Sequence, residues 1–315
     1  MLHEPTHKEI LQSAKNISKY IHHTPILTSQ SINKITGAKL FFKCENMQKV
    51  GAFKFRGASN AILSLDKSFW KNGVATHSSG NHAAALALAA KMNGIKSFIV
   101  MPKNAPVQKK NAVEEYGGKI IFCKPTLEAR ESTLEKVVEE TGATFIHPYN
   151  NYTVIAGQAT CAMEIFNEVT NLDYLIAPVG GGGLLSGTCL SAKYISPNTK
   201  LIGAEPEGAD DAYRSLRDGK IYPSVEPKTI CDGLRTALGI KTFSILQKYL
   251  SEIITVSDDT VVKSMRMIWE RMKIIVEPSA AVTLAAIIEN KNKFAGKKIA
   301  LILSGGNVDL QNLPF

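Results

Sequence analysis

The 315 residues are 44% hydrophobic and 21% charged, as in an ordinary globular protein, and the length allows two lobes that each have a core. The chain opens without a secretory leader and holds no apolar run near the length of about 18 residues that a membrane helix needs, so we expect a cytoplasmic protein. Thirty-seven basic residues against 28 acidic ones give a net charge of +9. Because the lysines are scattered, this charge favours a solvated surface over a nucleic-acid-binding one.

The five cysteines are odd in number, widely spaced and never arranged as C-x-x-C. This pattern predicts neither a disulfide framework nor a cysteine zinc site. It is typical of a protein from a reducing compartment.

Short β-branched or aromatic runs alternate with helical patterns in the first half of the chain. Strands are predicted at 40–44, 74–77, 97–101, 119–123 and 144–147, and helices at 83–92, 107–116 and 127–140. This alternation predicts a parallel sheet with right-handed crossovers.

A second series of the same kind follows. Strands are predicted at 174–179, 201–204, 253–256 and 299–303, and helices at 154–169, 184–194, 258–272 and 279–289. We expect an α/β protein of two packed lobes, with ligands in the cleft at the carboxyl ends of the strands.

Four consecutive glycines, Gly180 to Gly183, lie between an apolar run and the start of a helix. Without β-carbons, such a turn presents backbone N–H groups to a phosphate, and the helix dipole adds positive potential. No Gly-Lys-Ser/Thr follows, and the third glycine of the dinucleotide fingerprint is missing, so the phosphate belongs to something smaller than a nucleotide chain. A merely flexible turn is the alternative.

A second turn, Ser78-Ser79-Gly80-Asn81-His82, separates a predicted strand from a helix. Its hydroxyls, amide and free N–H groups suit a carboxylate, whereas plain helix capping needs only one such residue. We interpret His77 and His82 as structural histidines.

Two further segments complete the set. Ser304-Gly305-Gly306-Asn307 follows the last predicted strand, and its hydroxyl could bond a heterocycle nitrogen. In Gly51-Ala52-Phe53-Lys54-Phe55-Arg56-Gly57, strand-like alternation places the phenylalanines on one face and Lys54 and Arg56 on the other. A lysine among aromatic residues and glycines can be desolvated, which lowers its pKa and makes it a Schiff-base nucleophile.

A phosphate site, a reactive lysine and a ring-nitrogen partner together describe a site for pyridoxal phosphate. The four motifs, in this order and spacing, resemble those of the fold-type II pyridoxal-phosphate enzymes along almost the whole chain. Within that group the sequence is most similar to the serine racemases and the serine/threonine dehydratases.

The resemblance implies a two-lobed, tryptophan synthase β-like fold with parallel-sheet lobes and the cofactor in the cleft. Residues 1–73 and 149–315 would form the large cofactor-binding domain, and residues 74–148 a small mobile domain. It also implies a homodimer.

The resemblance further implies how each motif contacts the cofactor. Lys54 would form the Schiff base and act as acid and base on one face, with Phe53 packed near the ring. The remaining cofactor contacts would be Asn81 at the ring 3′ oxygen, Ser304 at the pyridine nitrogen, and Gly180, Gly181, Gly182, Gly183 and Leu184 at the phosphate.

The substrate carboxylate would be held by Ser78, Ser79, Asn81 and His82. In serine racemases a serine at the position of Ser79 is the acid/base on the face opposite the lysine, and a racemase needs both. Racemisation is therefore chemically open to this chain, although sequences that chiefly eliminate can carry the same serine.

The segment from Glu205 to Asp211 resembles the divalent-cation site of serine racemases. Glu205 and Asp211 would supply carboxylates and Ala209 a carbonyl, a set of hard oxygens that favours Mg²⁺ or Ca²⁺. An acidic loop in solvent is the alternative. By resemblance, Glu277 supports the cofactor or domain closure, and residues 149–152 influence substrate choice.

The function implied is β-elimination from L-serine and L-threonine, giving a 2-oxo acid and ammonia. Serine racemase is the close alternative, and a 3-hydroxyaspartate dehydratase is the next. A nucleic-acid-binding protein with a vestigial cofactor fold is a remote one.

Overall fold

Two β-sheets organise the chain in the computed structural model, which describes residues 2–315. The strands are β1 (Ile26–Leu27), β2 (Lys39–Cys44), β3 (Val74–His77), β4 (Ser97–Pro102), β5 (Lys119–Cys123), β6 (Thr144–Phe145), β7 (Tyr174–Pro178), β8 (Lys200–Pro206), β9 (Glu252–Val256) and β10 (Lys298–Leu303). The larger sheet has the order β1-β2-β10-β7-β8-β9, and the smaller one β5-β4-β3-β6. Every neighbouring pair is parallel except β1 with β2, so the predicted α/β fold is confirmed.

The helices cover both faces of each sheet, as parallel strands require. They are α1 (His7–Ile17), α2 (Gln30–Thr36), α3 (Lys54–Leu63), α4 (Asn81–Met92), α5 (Val107–Glu115), α6 (Leu127–Thr141), α7 (Tyr152–Glu168), α8 (Gly183–Ile195), α9 (Asp211–Asp218), α10 (Ile240–Tyr249), α11 (Asp258–Met272), α12 (Pro278–Glu289) and α13 (Lys291–Phe294). No helix among residues 2–315 has both the length and the apolar character to cross a bilayer.

The six-stranded sheet is buried on both sides. Alternate residues of β10 divide between two cores: Leu301 joins the one beneath α2, α11 and α12, whereas Ile302 joins the one beneath α1, α7, α8 and α10. Because side chains on both faces of β10 are covered, its carboxyl end, where Ser304 lies, is inside the protein.

The four-stranded sheet has its own two cores. Helices α3, α4 and α5 pack on the face that includes Val74 of β3, and α6 packs on the face that includes Ala75. The predicted domain division is thus compatible with the sheets, although α3 precedes residue 74 and still packs against α4. The exact boundary stays a prediction.

The strand-like interpretation of residues 51–57 is wrong. Lys54 begins α3, and both Phe55 and Arg56 are fully buried rather than on opposite faces of a strand. The alternation covers too few positions to distinguish a strand from a helix that is buried on all sides. The burial of Phe55 and Arg56 by the rest of the protein therefore decides the conformation.

A buried cluster of charged side chains holds α3 against α7 and the end of β2. The Arg56 guanidinium donates to Glu45 at 2.8 Å and to Glu164 of α7 at 2.6 Å, and Lys43 Nζ lies 2.6 Å from Glu164. Burial alone would lower the pKa of Arg56, but the Glu45 and Glu164 carboxylates hold it well above its ordinary value. Two cations and two anions therefore neutralise each other where β2, α3 and α7 meet.

Removal of one member of this cluster should be costly. We expect Arg56→Met to lower the free energy of unfolding by about 3–5 kcal/mol, because the buried Glu45 loses its ion-pair partner and Glu164 loses one of its partners. The matched control is Arg266→Met, whose pair with Glu270 is exposed and should be worth less than about 1 kcal/mol. Urea unfolding of both variants measures the two losses of unfolding free energy. Equal losses would contradict the conclusion that burial makes the Arg56 ion pairs costly to remove.

Candidate active site

The turn after β10 lies against the loop that leads into α3. Phe53 N donates to Ser304 O at 3.0 Å, and Gly306 N donates to Gly51 O at 2.9 Å. Ala52 and Gly305 form an isolated antiparallel bridge between these two contacts. The structure thereby brings Lys54 and Ser304, which are 250 positions apart, to one place.

The Lys54 amine is the central group of the site. Nζ donates to Pro148 O at 3.1 Å and lies 5.1 Å from the centroid of the Phe53 ring. Although part of the side chain keeps some contact with solvent, protein atoms surround the amine, and this burial lowers the pKa of Lys54 to about 8 against the opposing charge of Glu277. About a tenth of the amine is thus uncharged, and so nucleophilic, at pH 7, against less than about one in a thousand for a lysine in solvent.

The four-glycine turn forms a second part of the site at the N-terminus of α8. Gly182 adopts the left-handed conformation with φ of +83°, which few other residues tolerate. A methyl group on Gly181 would lie 2.4 Å from the Tyr149 ring, so that position must be glycine. Across residues 2–315, no protein acceptor bonds the backbone N–H groups of Gly181 to Gly183, which leaves them free for an anion.

The turn between β3 and α4 is the third part. Gly80 is the N-cap of α4, and no side chain caps the helix. The N–H groups of Asn81 and His82 make no bond to the protein within the described chain, whereas Gly80 N donates to Ser78 Oγ at 3.3 Å. Ser79 lies half-buried in the same turn. The turn can therefore accept a second anion.

His82 contributes to that turn through its backbone rather than its ring. Its Nε2 lies 3.3 Å from Ile146 O, an acceptor, so Nε2 carries the proton and Nδ1 is a bare acceptor. Burial and the Lys54 charge hold the pKa of His82 well below its ordinary value, so the ring stays neutral. A neutral ring in this tautomer offers no donor to a carboxylate, and the interpretation of the His82 side chain as structural is favoured.

Glu277 joins the site although the sequence only weakly indicated it. Its carboxylate is buried at the start of α12 and accepts from the Asn81 amide, with Nδ2 at 3.0 Å from Oε1 and 3.3 Å from Oε2. Pro148 also belongs to the site and was missed, since a backbone carbonyl carries no signal in the sequence, whereas Asn307 lies in the motif found at 304–307.

The acidic loop after β8 buries Glu205, Ala209 and Asp211, whereas Glu207 and Gly208 between them are exposed. Glu205 is fully buried and accepts from the Ala212 and Tyr213 N–H groups of α9 at 2.9 and 2.8 Å. Both carboxylate oxygens of Asp211 are buried and have no hydrogen-bond partner among the described residues. An oxygen-ligated cation would satisfy the buried Asp211 carboxylate, and the metal site stays a prediction. The predicted set contains only two carboxylates, and no group of three or more His, Cys, Asp or Glu side chains suited to a metal occurs in residues 2–315.

Comparison with known proteins identifies the class to which this site belongs. Residues 17–305 match the family described as pyridoxal-phosphate dependent enzyme. The chain is 50% identical over 311 residues to the beta-hydroxyaspartate dehydratase of Paracoccus denitrificans, covering 99% of each, and 51% identical over 312 residues to the serine racemase of Dictyostelium discoideum, covering 98% of this chain and 96% of that one. The crystal structure of a T.th. threonine deaminase superposes with a TM-score of 0.93 at 39% identity, covering 97% of this chain and 99% of that one.

The chain therefore belongs to the pyridoxal-phosphate dependent enzymes, and its fold is that of the fold-type II members. The residues present fit the cofactor: a buried amine of lowered pKa, a glycine turn with free N–H groups, and the buried Ser304 beside the lysine loop. The expected cofactor and an amino-acid substrate follow from the family.

Proposed function

We propose that the chain is an ammonia-lyase that removes water from small 3-hydroxy L-amino acids, with L-serine and L-threonine as substrates. The observation that carries this proposal is the Lys54 amine, withdrawn from water beside two turns with free backbone N–H groups. Its acceptor Pro148 precedes Tyr149, which lies against the glycine turn, and its charge lowers the pKa of His82 in the α4 turn. One turn suits a phosphate and the other a carboxylate, so an amino acid and a phosphorylated cofactor can both reach the same amine.

Bound pyridoxal phosphate would act as an electron sink for the bonds at the substrate Cα. The α4 turn would hold the substrate carboxylate through the N–H groups of Asn81 and His82, with the hydroxyls of Ser78 and Ser79 beside them. Lys54 would take the Cα proton and return a proton to the departing Cβ hydroxyl, which leaves as water. The released enamine takes up water and gives the 2-oxo acid and ammonia.

Ser304 sets the electronic character of the site. It is buried at the end of β10, and a neutral hydroxyl there would leave the ring nitrogen largely unprotonated, unlike a carboxylate. Ser304 would thereby weaken the electron withdrawal that the cofactor supplies, which would favour loss of the substrate β-hydroxyl. This supports elimination as the main reaction.

Two other activities have specific support. The beta-hydroxyaspartate dehydratase relative favours a 3-hydroxy substrate with a second carboxylate, and the serine racemase relative, together with Ser79, favours racemisation.

The five buried free cysteines support a reducing, cytoplasmic setting, and the homodimer remains part of the same proposal.

A product assay tests the proposal. The reconstituted enzyme should form a 2-oxo acid and ammonia in equal amounts from L-serine and L-threonine, and Lys54→Ala should form neither, because the variant lacks the buried amine that would bind the cofactor and take the Cα proton. 3-Hydroxyaspartate is assayed in the same way. If its kcat/KM were far above the values for L-serine and L-threonine, 3-hydroxyaspartate would be the preferred substrate. Full turnover by Lys54→Ala would contradict the mechanism.

Ser79→Ala separates elimination from racemisation in the same assay. The far-face proton needs the hydroxyl, so racemisation of L-serine should fall by about 100-fold or more while elimination falls much less. Chiral chromatography of residual serine measures the first and ammonia release the second. Equal losses would instead make Ser79 a residue that only binds substrate.

Removal of a divalent cation should lower stability, because the metal binds only the folded loop. We expect Mg²⁺ or Ca²⁺ to raise the melting temperature of chelator-treated protein, and Asp211→Asn to lose that gain while it keeps the visible band of the bound cofactor. Asp66→Asn, a change of the same charge at an exposed residue between α3 and β3, is the control and should keep the gain. A melting temperature that chelation leaves unchanged would show that the loop binds no metal.

A further inference from the structure

A continuous row of polar side chains links three of the four motifs. Asn307 Nδ2 donates to Val50 O at 2.8 Å and to Asn81 Oδ1 at 2.9 Å. Asn81 Nδ2 in turn donates to the Glu277 carboxylate. The row runs from the loop before Lys54, through the turn after β10 and the α4 turn, to the start of α12.

Each link allows one direction only. A backbone carbonyl such as Val50 O can only accept, so Asn307 must present its amino group on this side, and that group also faces Asn81. An ionised Glu277 likewise can only accept. If the Asn81 amide were turned over, its oxygen would meet the carboxylate and its amino group would meet another amino group.

The backbone around the row is built to hold these positions. Val50 has φ of +56°, a left-handed conformation that a β-branched residue rarely adopts, and this directs its carbonyl to Asn307. A methyl group on Gly305 would lie 2.5 Å from Glu277 Oε1, so the carboxylate occupies space that only a glycine leaves open. Such strain is retained where the surroundings over-determine a conformation.

We propose that Glu277 and Asn307 are positioning residues that keep Asn81 a hydrogen-bond donor toward the ring oxygen of bound pyridoxal phosphate. The Asn81 amino group has two protons, and Glu277 engages one of them, which leaves the other for the cofactor. The inference rests on the proposed function, because it takes Asn81 as the partner of that oxygen.

A proton on Glu277 would release the amide, since a protonated carboxyl can donate to the Asn81 oxygen. Burial and the nearby Asp232 charge raise the pKa of Glu277 to about 7, against the Asn81 hydrogen bond and the Lys109 charge. Two other titratable groups face Glu277. One is Lys54, which the cofactor would engage, and the other is Cys231, where burial raises the pKa of the thiol to about 12 and so keeps it neutral.

The test is the visible absorbance band of the reconstituted holoenzyme, recorded against pH without substrate. The band responds to hydrogen bonding at the ring oxygen. Saturating Mg²⁺ is added so that the carboxylates of the acidic loop after β8 stay ionised and do not contribute to the pH dependence. We expect the wild-type band to change with a midpoint near pH 7, and Glu277→Gln to remove that midpoint. Glu270→Gln, an exposed carboxylate on α11, is the matched control and should keep the wild-type midpoint.

Two further variants keep the test independent of folding defects at residue 277. Asp232→Asn removes the neighbouring negative charge, so the midpoint should fall below that of wild type. Asn307→Asp places an acceptor against the Asn81 oxygen, so its band at high pH should resemble the wild-type band at low pH.

The outcomes separate this inference from the proposed function. A chain that forms no visible band with pyridoxal phosphate overturns both. A normal band that Glu277→Gln and Asn307→Asp both leave unchanged across the pH range overturns the positioning role alone.

Discussion

The withdrawal of one amine from water is the constraint on which the site depends. Lys54 is the first residue of α3, and burial lowers its pKa to about 8. A lysine in solvent would be charged and inert at neutral pH, so the fold must enclose this amine and still leave a path to it. The enclosure is built by Phe53 on one side and the Pro148 carbonyl on another.

The rest of the architecture holds that amine in place. The Arg56 cluster fixes the first turn of α3 by charges that are satisfied within the protein, against Glu45 and Glu164 of α7. The free N–H groups of α4 and α8 supply two anion sites without a positive side chain. An added lysine or arginine in the cleft would depress the pKa of Lys54 further, whereas helix N-termini give attraction that falls off within a turn.

The sequence predicted the parts of the site that are local, and the structure shows why it missed the others. Glycine turns after apolar strands depend only on neighbouring residues, so the motifs at 180–183 and 304–307 were found with their elements. Residues 51–57 were misassigned as strand-like, because the burial of Arg56 depends on Glu45 and on Glu164, which is more than a hundred positions away. The link between Asn81 and Glu277 spans 196 positions and has no local signature.

The burial of Lys54 can be measured most directly through the pH dependence of cofactor capture by the apoenzyme. Only the uncharged amine attacks a carbonyl, so the rate at which the visible band appears should rise with pH to a midpoint near 8 and then level off. A solvent-exposed lysine analogue under the same conditions corrects for titration of pyridoxal phosphate itself. A rate that continues to rise toward the ordinary lysine value of 10.5 would show that the amine is solvated and would contradict its enclosure by the fold.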